Sequence, residues 1–478
     1  MDIPKPRLGL VPASRSFFSK KLAVAMKAKT EASMKAAGVD VVTVSEDMTP
    51  NGLVEERVDA LKAAELFAAR GVQGIVIGAM NFGNEIPAAE AAVLRTPGVP
   101  VFIFACREDG RLEMGAERRD AFCGTLSIAA ALRHRGVKYT FPRTPVCFPE
   151  GDEFVADVKN FATACRVVNG LKGARYGMLG PRPREFETCA FNELSMLKRF
   201  GQTVVPLPLS EVFARTDAIS DGDEKVKKAA VEIKGLADLK IRQETLLKLA
   251  KFEVYLKDIA AQMELDGIGI QCWTSIQEVF HMSPCAVMAR MDDAGVPCAC
   301  EVDIHGVMSM HALQLASGGP AALADWNNQH FSDENLFSCW HCGVFPPSFA
   351  KSGARPCICS QSIVGASVGM ENAEGTLEFE MKTGHVTLAR ITETADAEWK
   401  MLLEEGEVVL AQGETRGAHG WVRVPNLRRL YKALLRDFPH HAGFAYGHCG
   451  RALKLAAGFL GITPVMPNGV AGDDPDDA

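Results

Sequence analysis

No stretch of this chain is apolar for long enough to span a bilayer, which excludes a membrane-spanning helix. The opening residues Met1-Asp2-Ile3-Pro4-Lys5-Pro6 lack the apolar centre of a signal peptide, so a cytoplasmic location is expected. Positive charge is in deficit: 52 Lys and Arg against 59 Asp and Glu leave a formal net charge of −7, which argues against a nucleic-acid or membrane partner. No glycine fingerprint for a dinucleotide opens either strand–helix series, which argues against a bound nicotinamide. A disulfide framework belongs to short secreted chains, so the 14 Cys are expected to be reduced, small, buried hydrophobes. Three pairs stand out among them: Cys298-x-Cys300, Cys339-x-x-Cys342 and Cys357-x-Cys359. The last two allow a zinc-knuckle reading. Pro346 and Pro347 in the intervening gap, and the uncommon CxC spacing, weigh against it.

What is present describes a globular protein: 478 residues, 47% hydrophobic and 23% charged, enough for two or three domains. The first part alternates strand and helix. Apolar runs at Arg7–Val11, Val39–Val44, Val72–Ile77 and Val99–Phe104 read as strands. Ser19–Ala37, Val54–Ala69, Glu85–Leu94 and Asp120–Arg135 read as helices, and Lys138–Phe141 as a last strand. Gly-terminated helices between β-branched runs predict a parallel sheet covered by helices. After a bridging helix at Phe154–Gly170, a second α/β series follows. It has strands at Ala174–Leu179, Thr203–Leu207, Gly267–Gln271 and Val296–Val302, and helices at Glu187–Phe200, Lys225–Gln262, Val279–Ala294 and His305–Ala316. Beyond about residue 345, short strands at Thr376–Met381, His385–Ile391, Glu407–Ala411 and Trp421–Val424 suggest an antiparallel β-domain or barrel. Helix Leu427–Asp437 and strand Ala442–Tyr446 come next, and the acidic tail Gly472–Ala478 reads as disordered. The expectation is thus an α/β fold with two Rossmann-like parallel-sheet domains, residues 1–168 and 169–344, then a β-barrel-like domain, residues 345–478.

The chemistry concentrates in the second half. Glu301 and Asp325 lie 24 positions apart, His341 follows 16 positions later within Trp340-His341-Cys342-Gly343, and His440-His441 comes near the end. Two carboxylates and an imidazole suit a divalent ion such as Mn²⁺, and the same carboxylates can move protons. Ligands bind at the C-terminal ends of parallel strands. Gln271, Trp273 and Glu301 are therefore expected to share one rim. The plainer alternative makes Glu301 and Asp325 helix caps or solvated charges, and His341 a core histidine. Asp303 either orients a ligand from behind or caps the helix that follows. His440-His441 precedes an apolar strand, and adjacent strand residues face opposite ways, so at most one of the pair is expected to point into a given site and His440 to face away. Arg182 and Arg184 in Pro181-Arg182-Pro183-Arg184 can fork to an anionic group, or form a solvated basic loop.

Four runs carry a resemblance: Gly267-Ile268-Gly269-Ile270-Gln271-Cys272-Trp273, Cys300-Glu301-Val302-Asp303, Ala324-Asp325 and Trp340-His341-Cys342-Gly343. Together they resemble the L-fucose isomerase / L-arabinose isomerase family of metal-dependent aldose–ketose isomerases. The resemblance implies two α/β domains and a β-domain. It also implies a homo-oligomer, a trimer or hexamer, whose site a neighbouring subunit completes. It implies Glu301 and Asp325 as metal-binding carboxylates, His441 as the late His ligand, His341 as a further ligand and Gln271 as a substrate contact. The ion would be Mn²⁺ or a similar one such as Mg²⁺ or Co²⁺. Met80-Asn81-Phe82-Gly83 resembles the loop that covers a neighbour's site, so Asn81 and Phe82 are implied substrate contacts. The substrate would be a sugar, with a modified (deoxy or sulfonated) hexose as one alternative and a non-catalytic sugar-binding protein as another.

Overall fold

The computed structural model of the chain describes residues 4–413 and 415–473. The last part of the acidic tail expected to be disordered lies outside the described residues. Two compact units result, one running to Asn169 and one from Gly170 to Asp473. Among the described residues no helix is long and apolar enough to cross a membrane.

In the first unit the strands are β1 (Arg7–Ala13), β2 (Asp40–Thr43), β3 (Gly74–Ala79), β4 (Val101–Cys106), β5 (Tyr139–Thr140) and β6 (Val146–Cys147). They pair in the order β2-β1-β3-β4-β5, with β6 also on β4, and every pairing is parallel. β3 and β4 are buried along their whole length, which is why they are continuous apolar runs and not alternating ones. The helices are α1 (Lys20–Ala36), α2 (Arg57–Ala69), α3 (Glu85–Val93), α4 (Ala121–His134) and α5 (Asp152–Leu171), close to the expected spans. Ser19 caps α1, and Glu56 with Asp59 forms a capping box on α2. The Met80–Gly83 loop is held from inside. Asn81 is fully buried, its Nδ2 donates to Ser14 Oγ at 3.0 Å, and its Oδ1 accepts from the Arg15 and Gly83 backbones at 2.9 and 3.2 Å. Phe82 stacks on Phe18 and carries the Arg15 guanidinium 4.2 Å above its ring. Gly124 of α4 lies against this loop; a Cβ there would come within 1.3 Å of the Phe82 carbonyl oxygen.

The second unit opens with β7 (Arg175–Leu179) and β8 (Thr203–Leu207). The expected helix Glu187–Phe200 begins late, as α6 (Glu193–Phe200), and α7 (Leu209–Asp217) follows. The expected helix Lys225–Gln262 is two, α8 (Glu224–Leu236) and α9 (Gln243–Gln262). The short strand β9 (Asp238–Leu239) divides them and pairs in parallel with β14 (Cys357–Ser360) of a distant segment. Then come β10 (Gly267–Ile270), α10 (Ser275–Phe280), α11 (Cys285–Asp293) and β11 (Cys298–Ala299). Their sheet is parallel, in the order β11-β10-β7-β8. The expected strand Val296–Val302 is cut to two residues. Glu301 and Val302 adopt φ of 54° and 56°, a left-handed backbone that no strand contains. Helix α12 (Ile304–Ser317) is buried on nearly every side and forms the centre of this unit.

The third sheet combines β12 (Ala322–Gln329), β13 (Leu336–His341) and β14 with β15 (Glu374–Glu380), β16 (Gly384–Glu393) and β17 (Trp399–Val409). It also holds β18 (Ala418–Arg423), β19 (His441–Tyr446) and β20 (Thr463–Val465). Strands therefore enter it from both sides of residue 345. It is mixed where a purely antiparallel arrangement was expected: β9–β14, β15–β18 and β17–β20 are parallel. β17 also pairs with β18, so ladder bonds run in a circuit through β17, β16, β19, β12, β13 and β18.

Candidate functional site

Three adjacent strands bring the second-half residues together. β12 lies between β13 and β19, and its register places Asp325 opposite Trp340 on one side and His441 on the other. Side chains opposite one another across a ladder are close neighbours. His341 follows Trp340, and Glu301 reaches the same place from the turn after β11. Two successive left-handed residues that are not glycine are costly and persist only where the surroundings enforce them. Here Asp303 N donates to Cys300 O at 3.0 Å across the turn, and Cys300, Glu301, Val302 and Asp303 are all buried.

A cavity of about 570 Å³ opens on these residues. Phe186, Trp273, Trp326 and Trp340 form aromatic walls, and Glu301, Asp325, His341, His440 and His441 supply the ionisable groups. Glu301 Oε1 accepts from Trp273 Nε1 at 2.9 Å, and its Oε2 lies 3.4 Å from His441 Nε2 and 4.0 Å from His341 Nε2. Asp325 Oδ1 lies 3.5 Å from the same His441 Nε2. Glu301 Oε2, Asp325 Oδ1 and His341 Nε2 are buried, and none has a hydrogen-bond partner. Two carboxylate oxygens thus converge on one imidazole nitrogen.

The orientation of that nitrogen is fixed from behind. His441 Nδ1 donates to Asp303 Oδ2 at 2.9 Å, and Asp303 accepts both Arg390 guanidinium nitrogens, at 2.5 and 3.0 Å. Burial opposes the Asp303 charge, but Arg390 and His441 outweigh it and hold the carboxyl well below the usual range. An ionised Asp303 accepts the hydrogen on Nδ1, which turns Nε2 toward the two carboxylates. Carboxylate–His pairs of this kind orient metal-ligating imidazoles. Asp303 also accepts from Gly306 N at 2.8 Å, so it caps α12 and orients His441 together. Glu301 itself is pushed up by burial.

His440 departs from expectation. Alternation was to turn it away, yet its ring lies 4.0 Å from that of His441 and its Nε2 is 4.0 Å from Asp325 Oδ1. The reason is local: β19 begins at His441, so His440 precedes the strand and alternation does not bind it. Burial, then the neighbouring His441, pushes its pKa down to about 4. His341 turns Nδ1 to the backbone N–H of Cys342, 2.8 Å away, and leaves Nε2 to face the cavity.

Trp273 lines the cavity as expected from its place after β10, but Gln271 does not; its Oε1 is buried against Gly180. Arg182 is half-buried and Arg184 exposed, and neither lines the cavity, although Phe186 of the same loop does. Asn81 and Phe82 belong to the first unit. Sequence reasoning missed Arg390, Phe186 and Trp326. The only available signal for Arg390 was a lone charge within an apolar strand.

All 14 cysteines are free. The zinc-knuckle pairs do not assemble: among the described residues, no group of metal-suited side chains includes Cys339, Cys357 or Cys359. Sulfur gathers elsewhere, with Cys272, Cys285 and Cys342 on the cavity wall. Hydrogen bonds from the Cys285 and Cys300 thiols hold Cys342 well below the ordinary thiol range.

Comparison with known proteins adds a family. The pattern described as "Fucose/sulfoquinovose isomerase, N-terminal domain" matches residues 9–172, and that described as "L-fucose isomerase, C-terminal domain" matches residues 339–466. A sulfoquinovose isomerase of Priestia aryabhattai is 26% identical over 376 residues, covering 74% of this chain and 79% of the relative. One from Alkalicoccus urumqiensis is 27% identical over 330 residues, covering 67% and 69%. A solved periplasmic solute-binding protein from Actinobacillus succinogenes with bound D-allose covers 61% of this chain and 84% of its own at 12% identity. Its TM-score is 0.16, too low to support any argument.

Proposed function

Because the chain belongs to the L-fucose isomerase family, and is an aldose–ketose isomerase, we propose that it acts on a sulfonated hexose of the sulfoquinovose type by proton transfer through an enediol. The observation that carries this reading is the convergence of Glu301 Oε2 and Asp325 Oδ1, both buried and unpaired, on Nε2 of His441. That donor set fits a divalent ion of the Mn²⁺ type, which Glu301, Asp325 and His441 would hold with His341 beside them. When bound, such an ion polarises the substrate carbonyl and lowers the charge repulsion between the carboxylates. One carboxylate takes the proton from the carbon next to the carbonyl, and the other manages the hydroxyl proton. Each such transfer is worth about 10²–10⁴-fold. Trp273 fixes the unused Glu301 oxygen, and the aromatic walls keep bulk water from the enediol. His440, neutral at physiological pH, is available to hydrogen-bond a sugar hydroxyl.

We read the circuit of six paired strands as the barrel-like domain that the family implies, and the Met80–Gly83 loop as one that covers a neighbouring subunit's cavity. With the Asn81 side chain fully bonded inside its own unit, such a contact would fall to Phe82.

Isomerisation in D₂O tests the chemistry. Partial deuterium is expected at C1 of the ketose or C2 of the aldose, because an abstracted proton exchanges with water before it returns. The extent depends on how well the site excludes water; complete retention of the original hydrogen would favour a hydride shift, and would count against Glu301 and Asp325 as bases while leaving them as ligands. The sulfonate has a separate test. Arg182 and Arg184 sit on the loop that brings Phe186 to the cavity, and a charged hydrogen bond is worth about 1.5–3 kcal/mol. Arg182→Ala and Arg184→Ala should each raise KM for sulfoquinovose by about 10–100-fold and leave that for the unsulfonated parent sugar unchanged. An unchanged KM for both sugars would identify a solvated basic loop, and an equal rise for both would give the loop a role that does not involve the sulfonate.

A further inference from the structure

Directly behind Glu301 and His341 lies a run of sulfur that the isomerase reading does not use. Cys300 precedes Glu301 in the left-handed turn, Cys342 follows His341 at the end of β13, Cys285 opens α11, and Cys272 follows β10. Cys300, His341 and Cys342 bring ligand atoms within 4.8 Å of one another, and so do Cys272, Cys300 and Glu301. Cys342 Sγ lies 3.9 Å from Cys285 Sγ. Cys272, Cys285 and Cys300 are buried and Cys342 is partly so. A single buried cysteine is a small hydrophobe. Here four converge from four elements, with Cys342 close to both Cys285 and Cys300, and Cys300 close to Cys272.

The separations have a physical meaning. Two thiolates on one tetrahedral ion, with bonds of about 2.3 Å, sit about 3.8 Å apart. The Cys285–Cys342 pair is already at that separation. Ligand softness then decides the occupant. Carboxylate oxygens and an imidazole take Mn²⁺-like ions, whereas sulfurs select thiophilic ones. The two donor sets are neighbours, yet His341 presents a different nitrogen to each: Nε2 toward Glu301, and Nδ1 3.2 Å from Cys342 Sγ.

We propose that Cys300 and Cys342, with Cys285 beside Cys342, form a second cation site, for a thiophilic divalent ion such as Zn²⁺ or Cd²⁺, adjoining the carboxylate–His set and chemically distinct from it. Cys272 is a fourth sulfur within reach of Cys300. Binding replaces three S–H bonds with three sulfur–metal bonds and releases the protons to solvent. The ion joins α11, the turn after β11 and the end of β13. Two of its ligands are next in sequence to Glu301 and His341, so its occupancy braces the strained turn.

The test is a Cd²⁺ titration of the metal-stripped, fully reduced full-length protein, followed by the thiolate-to-metal charge-transfer band in the ultraviolet. The band should saturate at about one ion per chain. It should persist in Glu301→Gln and in Cys123→Ser, an exposed thiol elsewhere, and be lost in Cys300→Ser and Cys342→Ser. Wild-type protein alone gives a second readout, independent of whether those variants fold. Bound Zn²⁺ should protect Cys342, the one of these thiols that is not buried, from alkylation, mapped by mass spectrometry, while Cys123 reacts as before. Absence of the band in folded wild-type protein, its survival in both serine variants, or the lack of Zn²⁺ protection would overturn the proposal.

Discussion

Glu301→Gln should lower kcat by about 10²–10⁴-fold, and should also reverse its thermal stability relative to wild type according to whether a divalent ion is present. The substitution keeps the shape of the side chain and its acceptance from Trp273, and removes the charge. Glu301 is only 6% exposed, and burial raises its pKa. An acid whose folded pKa lies above its unfolded one costs stability as pH rises through that interval, and the cost is full only above the folded value. Glutamine removes the cost, so with a chelator the variant should melt above the wild type. With Mn²⁺ in excess the order should invert. An ion at 100 times its Kd stabilises by about 2.7 kcal/mol, and only the wild type retains the carboxylate pair to bind it. Calorimetry in chelator and in Mn²⁺, with metal content measured alongside, checks both halves. Full activity in the variant would remove Glu301 from the mechanism. A variant that melts lower in both buffers would make it a structural carboxylate.

Much of the first unit was legible because its central strands β1, β3 and β4 are buried on both faces and most of its helices are followed by glycine, so that the apolar pattern and the chain reversals coincide. The second unit was read less well, and always at places where tertiary contacts overrule local preference. Val302 is β-branched and follows a run that reads as strand, yet it takes a left-handed backbone beside Glu301. Nothing in apolar spacing reports a positive φ. Asp325 sits in a strand that runs Ala-Leu-Ala-Asp-Trp-Asn-Asn-Gln, poor in strand formers. It is extended because β13 and β19 pair with it on either side. The candidate site was found by residue type, as two carboxylates and late histidines. Its order depends on Arg390, 87 positions beyond Asp303, a pairing that no local pattern encodes. His440 shows the limit of a sound rule, since alternation holds only inside the strand and the strand starts one residue later.

That Arg390–Asp303 pair carries the second large expectation. Both side chains are 1% exposed. A buried pair holds a protein together less by its own attraction than by the cost of leaving one member alone. Asp303→Asn leaves the guanidinium uncompensated in the core, and should cost about 3–5 kcal/mol in chelator at neutral pH. No titration masks this. Asp303 is held far below its unfolded value, so its contribution is complete above about pH 4 and fades only as pH falls toward the folded value. Asparagine can still cap α12 through its carbonyl oxygen, so the loss reports the charge and not the cap. The same change releases His441 Nδ1 from an ionised acceptor, and should weaken divalent-ion binding by about 10–100-fold. Asp303→Leu combined with Arg390→Met separates the two effects. Removing both charges should return part of the stability, since well-packed apolar residues replace buried ion pairs at little cost. It should return none of the ion affinity, because His441 still lacks its anchor. Urea unfolding and competitive metal titration on the three proteins give the answer. If affinity returns together with stability, Asp303 acts on the site only by keeping the fold intact, and the orientation of His441 must come from elsewhere.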